Sequence, residues 1–542
     1  MTHTHVATRT IAAAWRENLN HIRNRTTING DHHQLNTASG PLHFTATHSP
    51  FNHLTLHQPP TLNGQPAPAD DILTAITGQP TPTHLTADFA SAVHGHQLAT
   101  NRATTHRDTL ATTVATSPDK GLAHYTAALQ PHQFDHHITR HLEPLATGGH
   151  WLHALARTRL GWKPHDFTAY DLETTEPLNV PLVRAQGLKT AGHPIPGLIE
   201  PDGDATVLPI HPWQLQHLRH RHPELFTDKS LTLTGDTLTA WPTASIRTLH
   251  TPHRSGFVKL SLGIRITSTD RGISPTTARL APKLSRKLNA LQDPILKNWR
   301  FLTDTASAWH PHSRDITAIA RSSLAEVTPP GTTPVPALAL PCPSPTATTS
   351  LAGEYISWAA SQNTCAPQVA AQNWLEKYVR LLLPPALHLS AHFGIGIEGH
   401  QQNTLIAFNG PHPEAVIVRD LGGIRLWKPQ LPFTVNFPDN APIATTDRMQ
   451  THRKVAFTVI HNHLGAVIEA LVSDSLIKHQ EAWAIVADLI AQTDIPAQDR
   501  DYYFAATLPT KAMLTMRLRQ TSDQYLPVDN PLHAHRERRR AP

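Results

Sequence analysis

Residues 398–420 read EGHQQNTLIAFNGPHPEAVIVRD, and the reading of this stretch decides the C-terminal half of the chain. "TLIAF" (404–408) and "AVIVR" (415–419) are apolar, β-prone runs separated by "NGPHPE", whose Asn-Gly and Pro residues form turns, so the segment is expected to be a β-hairpin. Pairing Phe408 with Ala415 sets Asn403 directly opposite Asp420. Cross-strand Cβ atoms lie about 4.5–5.5 Å apart, so the Asn carbonyl and the Asp carboxylate could share one hard cation, with Glu398 completing the set and His400 within reach of a phosphate. The same positions are equally those of residues that cap two strand ends.

Outward from the hairpin, apolar residues recur at helical spacing in "QVAAQNWLEKYVRLLLPPALHLSAHF", "VAFTVIHNHLGAVIEALV" and "EAWAIVADLIAQ". Upstream, "VKLSLGIRITS" alternates strictly: Val258, Leu260, Leu262, Ile264 and Ile266 take one face, and Lys259, Ser261, Arg265 and Thr267 the other. If this strand pairs with "ASIRT" across "HTPHRSG", one wet face gathers Arg247, Lys259 and Arg265, with Arg271 beyond the strand end. Such a face suits a ligand with several anionic groups, and it is also an ordinary solvated sheet face. The Pro-rich stretch at 327–350 is expected to be loop, edge strand or linker.

The bulk properties narrow the function classes. A chain of 542 residues has room for several domains of about 100–200 residues. We expect three: a helical N-terminal domain at 1–135, a strand-bearing domain at 136–360, and a domain at 361–542 built of helices around the hairpin. Charged residues make up 16%, and the net charge of +5 forms no basic block outside the tail "HAHRERRR", so no nucleic-acid partner is expected. No membrane partner is expected either, because no apolar run reaches the roughly 20 residues of a span. Two cysteines cannot build a disulfide framework, and the N-terminus lacks a basic segment leading into an apolar one; a cytoplasmic location is expected. The 40 histidines are scattered rather than tracted. "HNH" (461–463) lies inside a helical pattern without a second ligand cluster, which argues against a nuclease or zinc site.

Taken in order, "GGHWLHALARTRLG" (148–161), "HPWQ" (211–214), "SIRT" (245–248), "KLSLGIRITSTDR" (259–271), "EGHQQN" (398–403) and "VRDLGG" (418–423) resemble the siderophore synthetases that work without a nonribosomal peptide synthetase, the aerobactin-synthetase type family. The resemblance spans roughly residues 140–520. It implies an α+β, cupped-hand fold: an N-terminal thumb, fingers on antiparallel sheet and a mostly helical palm. It also implies an ATP- and Mg²⁺-dependent acid–amine ligase that adenylates a carboxylate of citrate or a related polycarboxylic acid, releases pyrophosphate, and joins the acyl group to an amine, a hydroxamate-amine or an alcohol. Family members are often homodimers.

Carried over by motif, Ser245, Arg247 and Thr248 hold the nucleotide phosphates and the acid, and Lys259 and Arg271 meet phosphate and carboxylate charge. The resemblance implies Glu398 and Asp420 as Mg²⁺ ligands and His400 and Asn403 as contacts to the ATP phosphates. By the same resemblance His150 and Thr267 would stand near the acyl substrate and Lys511, in "LPTKAMLTMRL", would reach the acyl or amine site; His150 equally reads as a structural histidine in a helix N-terminal turn, and Lys511 as a surface helix lysine. The catalytic set the resemblance implies is therefore His150, Arg247, Lys259 and Arg271. The chain departs from the family where Trp151 and Ala154 replace two prolines and Arg157 replaces a lysine, which bears on the acid accepted. Two other readings compete: a small-molecule kinase, for which the chain lacks an early Gly-rich phosphate loop, and a non-catalytic ferric-siderophore binding protein. Reductases of the latter group need several C-terminal cysteines, and here the last is Cys365.

Overall fold

The computed structural model describes residues 2–117, 121–252, 256–266, 269–438 and 441–536. The N-terminal helix Thr2–Arg16 buries Val6, Ile11, Ala14 and Trp15. Residues 26–66 then depart from the expected helices and loops: they form a six-stranded antiparallel sheet. Its inward positions alternate, with His33 and Leu35 on one strand and Leu42, Phe44 and Ala46 on the next. The period-2 signal was masked because His and Thr occupy so many of the intervening positions. Two helices follow, Ala69–Thr77 and Thr83–Ala115.

The core of this N-terminal region also takes in Leu514 from the distant helix Met513–Arg519. Glu17 pins that helix by accepting the backbone N–H groups of Leu514 (2.9 Å) and Thr515 (2.7 Å) and the Thr515 hydroxyl (2.7 Å). Arg517 adds a buried ion pair to Asp88.

The centre of the molecule is a nine-stranded antiparallel sheet in the order Lys189–Gly192, Asp304–Trp309, Thr317–Arg321, Gly256–Leu260, Thr248–Thr251, Leu231–Pro242, Leu178–Gln186, Ala205–Pro209, Glu200–Asp202. The expected pairing across "HTPHRSG" is present, with Thr248 opposite Lys259. The single long strand is not. It breaks at Ser261, whose hydroxyl donates to the Arg314 carbonyl (2.6 Å) and accepts the Ile273 N–H (3.2 Å). Leu262–Ile266 instead pairs with Thr269–Arg271 as a separate ribbon. Lys259 and Arg265 therefore share no wet face, and Lys259 is 3% exposed. "SIR" is a turn rather than strand, with Ile246 at φ 55° and its side chain buried.

The C-terminal half packs the helices Leu351–Asn363, Pro367–Phe393 and His479–Gln492 around the hairpin. The hairpin strands Thr404–Asn409 and His412–Val418 belong to a four-stranded sheet whose edge is Thr333–Pro336, from the Pro-rich stretch. Residues Met449–Ser473 are long and apolar enough to cross a membrane, but 83% of that window is buried within the fold, as suits a core helix.

The hairpin register differs from expectation by one residue. Gly410, at φ 54°, and Pro411 make a two-residue turn, and a bulge lets Phe408 pair with Pro413 while Ala407 pairs with Ala415. The Asn403 carbonyl consequently accepts the N–H of Arg419 (2.8 Å), and Asp420 lies two residues past the last ladder pair, Thr404 with Val418.

Replacing Glu17 by Ala strands three buried donors that join the two ends of the chain. Urea unfolding is expected to show a loss of about 3 kcal/mol, and the helix Met513–Arg519 should exchange its amide protons faster.

Candidate active site

Asp420 leaves the hairpin in a left-handed conformation (φ 65°), turning its carboxylate toward the central sheet. Lys259 Nζ lies 2.7 Å from both carboxylate oxygens. One residue earlier, Arg419 donates through Nε to the Gln402 carbonyl (2.9 Å) and pairs with the fully buried Glu143 (2.5 Å). Glu143 also accepts the N–H of Ala244 (2.5 Å), and Gln402 Nε2 donates to the Ala244 carbonyl (2.7 Å). Four residues from three regions thus clamp the turn Thr243–Thr248 onto the hairpin.

Within that turn, Ser245 Oγ accepts the Thr248 N–H (3.1 Å), and the Arg247 guanidinium donates to the Arg271 carbonyl. The structure therefore brings Ser245, Arg247, Thr248, Lys259, Arg271, Asn403 and Asp420 to one place. Ser245, Thr248, Arg321, Asn403, Arg419 and Asp420 line a narrow cavity, and beyond Lys259 and Asp420 a second, apolar-walled one is lined by Thr277, Leu280, Ile319, Leu421 and Ile443.

The electrostatics of this cluster suit a polyanion. Burial draws Lys259 down to about 8 even against the pull of Asp420, and burial with the charges of Arg247 and Arg159 draws Arg271 down to about 9. Arg247 is lowered mainly by burial. Burial would raise Asp420, but Lys259, Arg321 and Arg247 hold it far below the usual carboxylate range. Phosphate or carboxylate charge placed here would be met by cations already desolvated.

Glu398 stands across the Gly422–Gly423 pair, so close to Gly423 that a Cβ there would collide with its carboxylate. It pairs with Lys454 at 3.0 Å. Burial pushes Glu398 up, but Lys454, His400 and Lys511 more than offset it and hold it near 2. Glu398 and Asp420 are thus both ionised oxygen donors, and among the described residues no cluster of three His, Cys, Asp or Glu could hold a metal unaided. Two carboxylates with the remaining positions left to phosphates and water is the donor set Mg²⁺ accepts. Each carboxylate is held by a lysine, so an arriving cation would share or displace that partner.

His400 opens the short turn Gln401–Asn403, its carbonyl accepting the Asn403 N–H (2.9 Å), and burial lowers its ring's affinity for a proton. The backbone beside it is fixed by His463, whose Nδ1 bonds the Gly399 carbonyl (2.9 Å) and whose Nε2 meets the Tyr378 hydroxyl (2.6 Å). His150 Nε2 lies 3.1 Å from Asn462 Nδ2. Lys511 Nζ is 3.4 Å from Asp523, which also binds Arg425 (3.2 Å). Thr267 lies outside the described residues. The altered Arg157 is buried in an ion-pair network with Glu173 and Asp171, and its Nε donates to the Thr147 carbonyl (2.7 Å), so its partners here are structural.

Glu143, Arg321, Arg419, Lys454 and Asn462 were not found from sequence. Arg419 was visible only as part of "VRD", and Lys454 lay in a helical run explained by its apolar neighbours.

Residues 139–341 match the IucA / IucC family, and residues 372–526 match the family described as ferric iron reductase FhuF-like transporter. No cysteine falls within 372–526. The chain is 26% identical over 456 residues to D-ornithine--citrate ligase of Staphylococcus aureus, covering 71% of this chain and 68% of that one. It is 27% identical over 343 residues to staphyloferrin A synthase of the same organism, covering 61% and 58%. The second alignment therefore spans less than two-thirds of that relative. Among solved structures, the petrobactin biosynthesis protein AsbB of Bacillus anthracis superposes with a TM-score of 0.77 at 17% identity, covering 99% of this chain and 97% of that one. ATP-bound aerobactin synthetase IucA of Klebsiella pneumoniae gives 0.74 at 17% identity, covering 96% and 99%. The fold is the α+β one of these synthetases, with antiparallel sheet at its centre and helices around the hairpin. Over residues 139–341 the chain is thus similar to the IucA / IucC family, and its fold is that of these synthetases along nearly its whole length.

Two outcomes test this geometry. Folded Glu398 titrates near 2 against 4.5 in the unfolded chain, so between those values the unfolded chain binds a proton that the folded chain refuses, and stability falls with pH. Its contribution is full above about 4.5 and on the order of 3 kcal/mol; urea unfolding at descending pH should show a shallower acid limb in Glu398→Gln. Glu143→Gln leaves Arg419 facing a neutral partner and should loosen the turn Thr243–Thr248, seen as faster amide exchange there and a loss of about 2–3 kcal/mol.

Proposed function

We propose that this chain is an ATP-dependent siderophore synthetase that adenylates a carboxylate of citrate or a related polycarboxylic acid and condenses it with an amine, a hydroxamate-amine or an alcohol. The observation that carries this reading is the convergence of Arg247, Lys259 and Arg271 with Asn403 and Asp420, beside the ionised Glu398. Relatives named as citrate ligases support the acid.

Adenylation requires an anionic carboxylate to approach the α-phosphorus of an anionic nucleotide, and repulsion opposes that approach unless cations bridge the two. Arg247 and Lys259 are fixed and desolvated in the position to bind phosphate oxygens, and Arg271 to meet the acid. Ser245, Thr248, His400 and Asn403 supply the neutral hydrogen bonds that orient the phosphates. The apolar-walled cavity by Thr277 and Leu280 suits the base of the nucleotide. Mg²⁺, held by Glu398 and Asp420, would neutralise charge on the departing pyrophosphate. In the first step the acid's oxygen bonds to the α-phosphorus as the bond to pyrophosphate breaks. In the second, the nucleophile's nitrogen or oxygen bonds to the acyl carbon, AMP leaves with the bonding pair, and the nucleophile gives up its proton. Lys511, which pairs with Asp523 beside Arg425, is assigned to reading a charged acceptor.

Purified protein with ATP and Mg²⁺ should release pyrophosphate in the presence of citrate, succinate, 2-oxoglutarate or a citrate monoamide, with hydroxylamine as acceptor. Arg247→Ala and Asp420→Ala are each expected to lower that rate by about 100-fold or more. Release of ADP alone would indicate a kinase, and ferric-siderophore binding without turnover a binding protein; either would overturn the reading.

A further inference from the structure

The helix that begins at Met449 widens into a π-helix over Ala456–Leu464, an irregularity that often marks functional positions. Three successive side chains on it serve three neighbours. His461 stacks on Phe51 with ring centroids 4.4 Å apart, Asn462 reaches His150, and His463 bonds the backbone beside His400. Asn462 is 2% exposed. Its backbone carbonyl accepts the indole N–H of Trp151 at 3.0 Å, and the Trp151 ring packs over Gly465, where a Cβ would meet it at 3.3 Å. Trp151 also lies edge-on to His53 (4.9 Å). The residue that stands where the family has a proline is therefore a strut between the 148–160 segment and the π-helix.

This contact favours one tautomer of His150. An amide Nδ2 can only donate, so the facing Nε2 of His150 is an acceptor and its proton sits on Nδ1. Burial, together with His153, His400, Arg9 and Arg16, keeps the ring from taking a second proton. Nδ1 is shielded from solvent and has no hydrogen-bond partner among the described residues.

We propose that Asn462, anchored by Trp151, is a positioning residue for the acid: it fixes His150 in the Nδ1-protonated tautomer, so that the ring offers one neutral N–H donor to an oxygen of the polycarboxylate. The proposal rests on the adenylating reading for the identity of the ligand. A neutral donor adds direction without adding charge beside Arg247 and Arg271. It discriminates acids by where they carry an oxygen acceptor, while the cations answer their total charge.

The test is citrate binding by calorimetry in the presence of Mg²⁺ and a non-hydrolysable ATP analogue, alongside pyrophosphate-release kinetics. Asn462→Ala should weaken citrate binding and raise the KM for citrate about tenfold, with the KM for ATP changed by less than about twofold. Trp151→Phe keeps an aromatic ring, smaller than the indole, and removes the N–H. It should move the citrate terms the same way by about threefold, and it should have no further effect in the Asn462→Ala background, because it acts through Asn462. Equal shifts in both KM values, additive effects of the two substitutions, or unchanged citrate binding would overturn the proposal. Citrate binding that depends on Asn462 without any pyrophosphate release would instead overturn the adenylating reading and leave the positioning role standing. A chain that binds none of the polycarboxylates overturns both.

Discussion

The joint between the central sheet and the hairpin rests on two buried ion pairs, Lys259 with Asp420 and Arg419 with Glu143. Neither is a cheap source of stability. Desolvating two charges costs several kcal/mol per ion, and the attraction between them returns that only when the remaining hydrogen-bonding groups are satisfied. Here they largely are: Asp420 also accepts the Gly422 N–H, Glu143 the Ala244 N–H, and Arg419 donates to the Gln402 carbonyl. What the two pairs supply is position. They tie a turn near residue 245 to a hairpin near residue 420, more than 170 residues away in sequence. Ser245, Arg247, Lys259, Asn403 and Asp420 all hang from one side or the other of that joint.

The same pairs reconcile a cation-rich pocket with a folded protein. Arg247, Arg271 and Lys259 are buried in one another's company, and like charges at such range would disperse the site if Asp420 and Glu398 were not among them. The carboxylates thus serve the fold and the proposed metal with the same oxygens. A site that holds itself together by internal ion pairs can exchange them for ligand contacts of the same sign pattern, so that binding replaces one set of charge contacts by another and spares the fold the exposure of bare charge.

Much of this site was legible from residue types, and much of its geometry was not. "EGHQQN", "SIRT" and "VRD" identified the groups that meet, because their chemistry is distinctive at short range. Register failed by one residue at the hairpin, since the choice between a longer loop and a two-residue turn with a bulge depends on how Phe408 and Pro413 pack. The alternation in "VKLSLGIRITS" was real, but Ser261 breaks the strand by bonding residues near 273 and 314, partners that periodicity does not show. Glu143, Lys454 and Asn462 were invisible for the same reason: each acts on a residue more than 50 positions away. The N-terminal sheet went unread because His33 sits inward and Thr lines the strands, so that the hydrophobic alternation was diluted.

The departures from the family motif divide into two kinds once their partners are known. Arg157 is consumed by Asp171 and Glu173, and Ala154 by the N-terminal core, so both changes are absorbed into packing. Trp151 differs, because its indole crosses to the π-helix and its one polar atom holds the residue that faces His150. Losing a proline frees the 148–160 segment in φ, and a hydrogen bond from a bulky side chain fixes it again from outside. The stiffness that a proline ring would supply locally is then supplied by the π-helix, which couples the 148–160 segment to the same helix that carries Lys454 and His463. The proposed acid site and the metal side of the proposed nucleotide site thereby share one scaffold, and a shift in that helix would be felt by both.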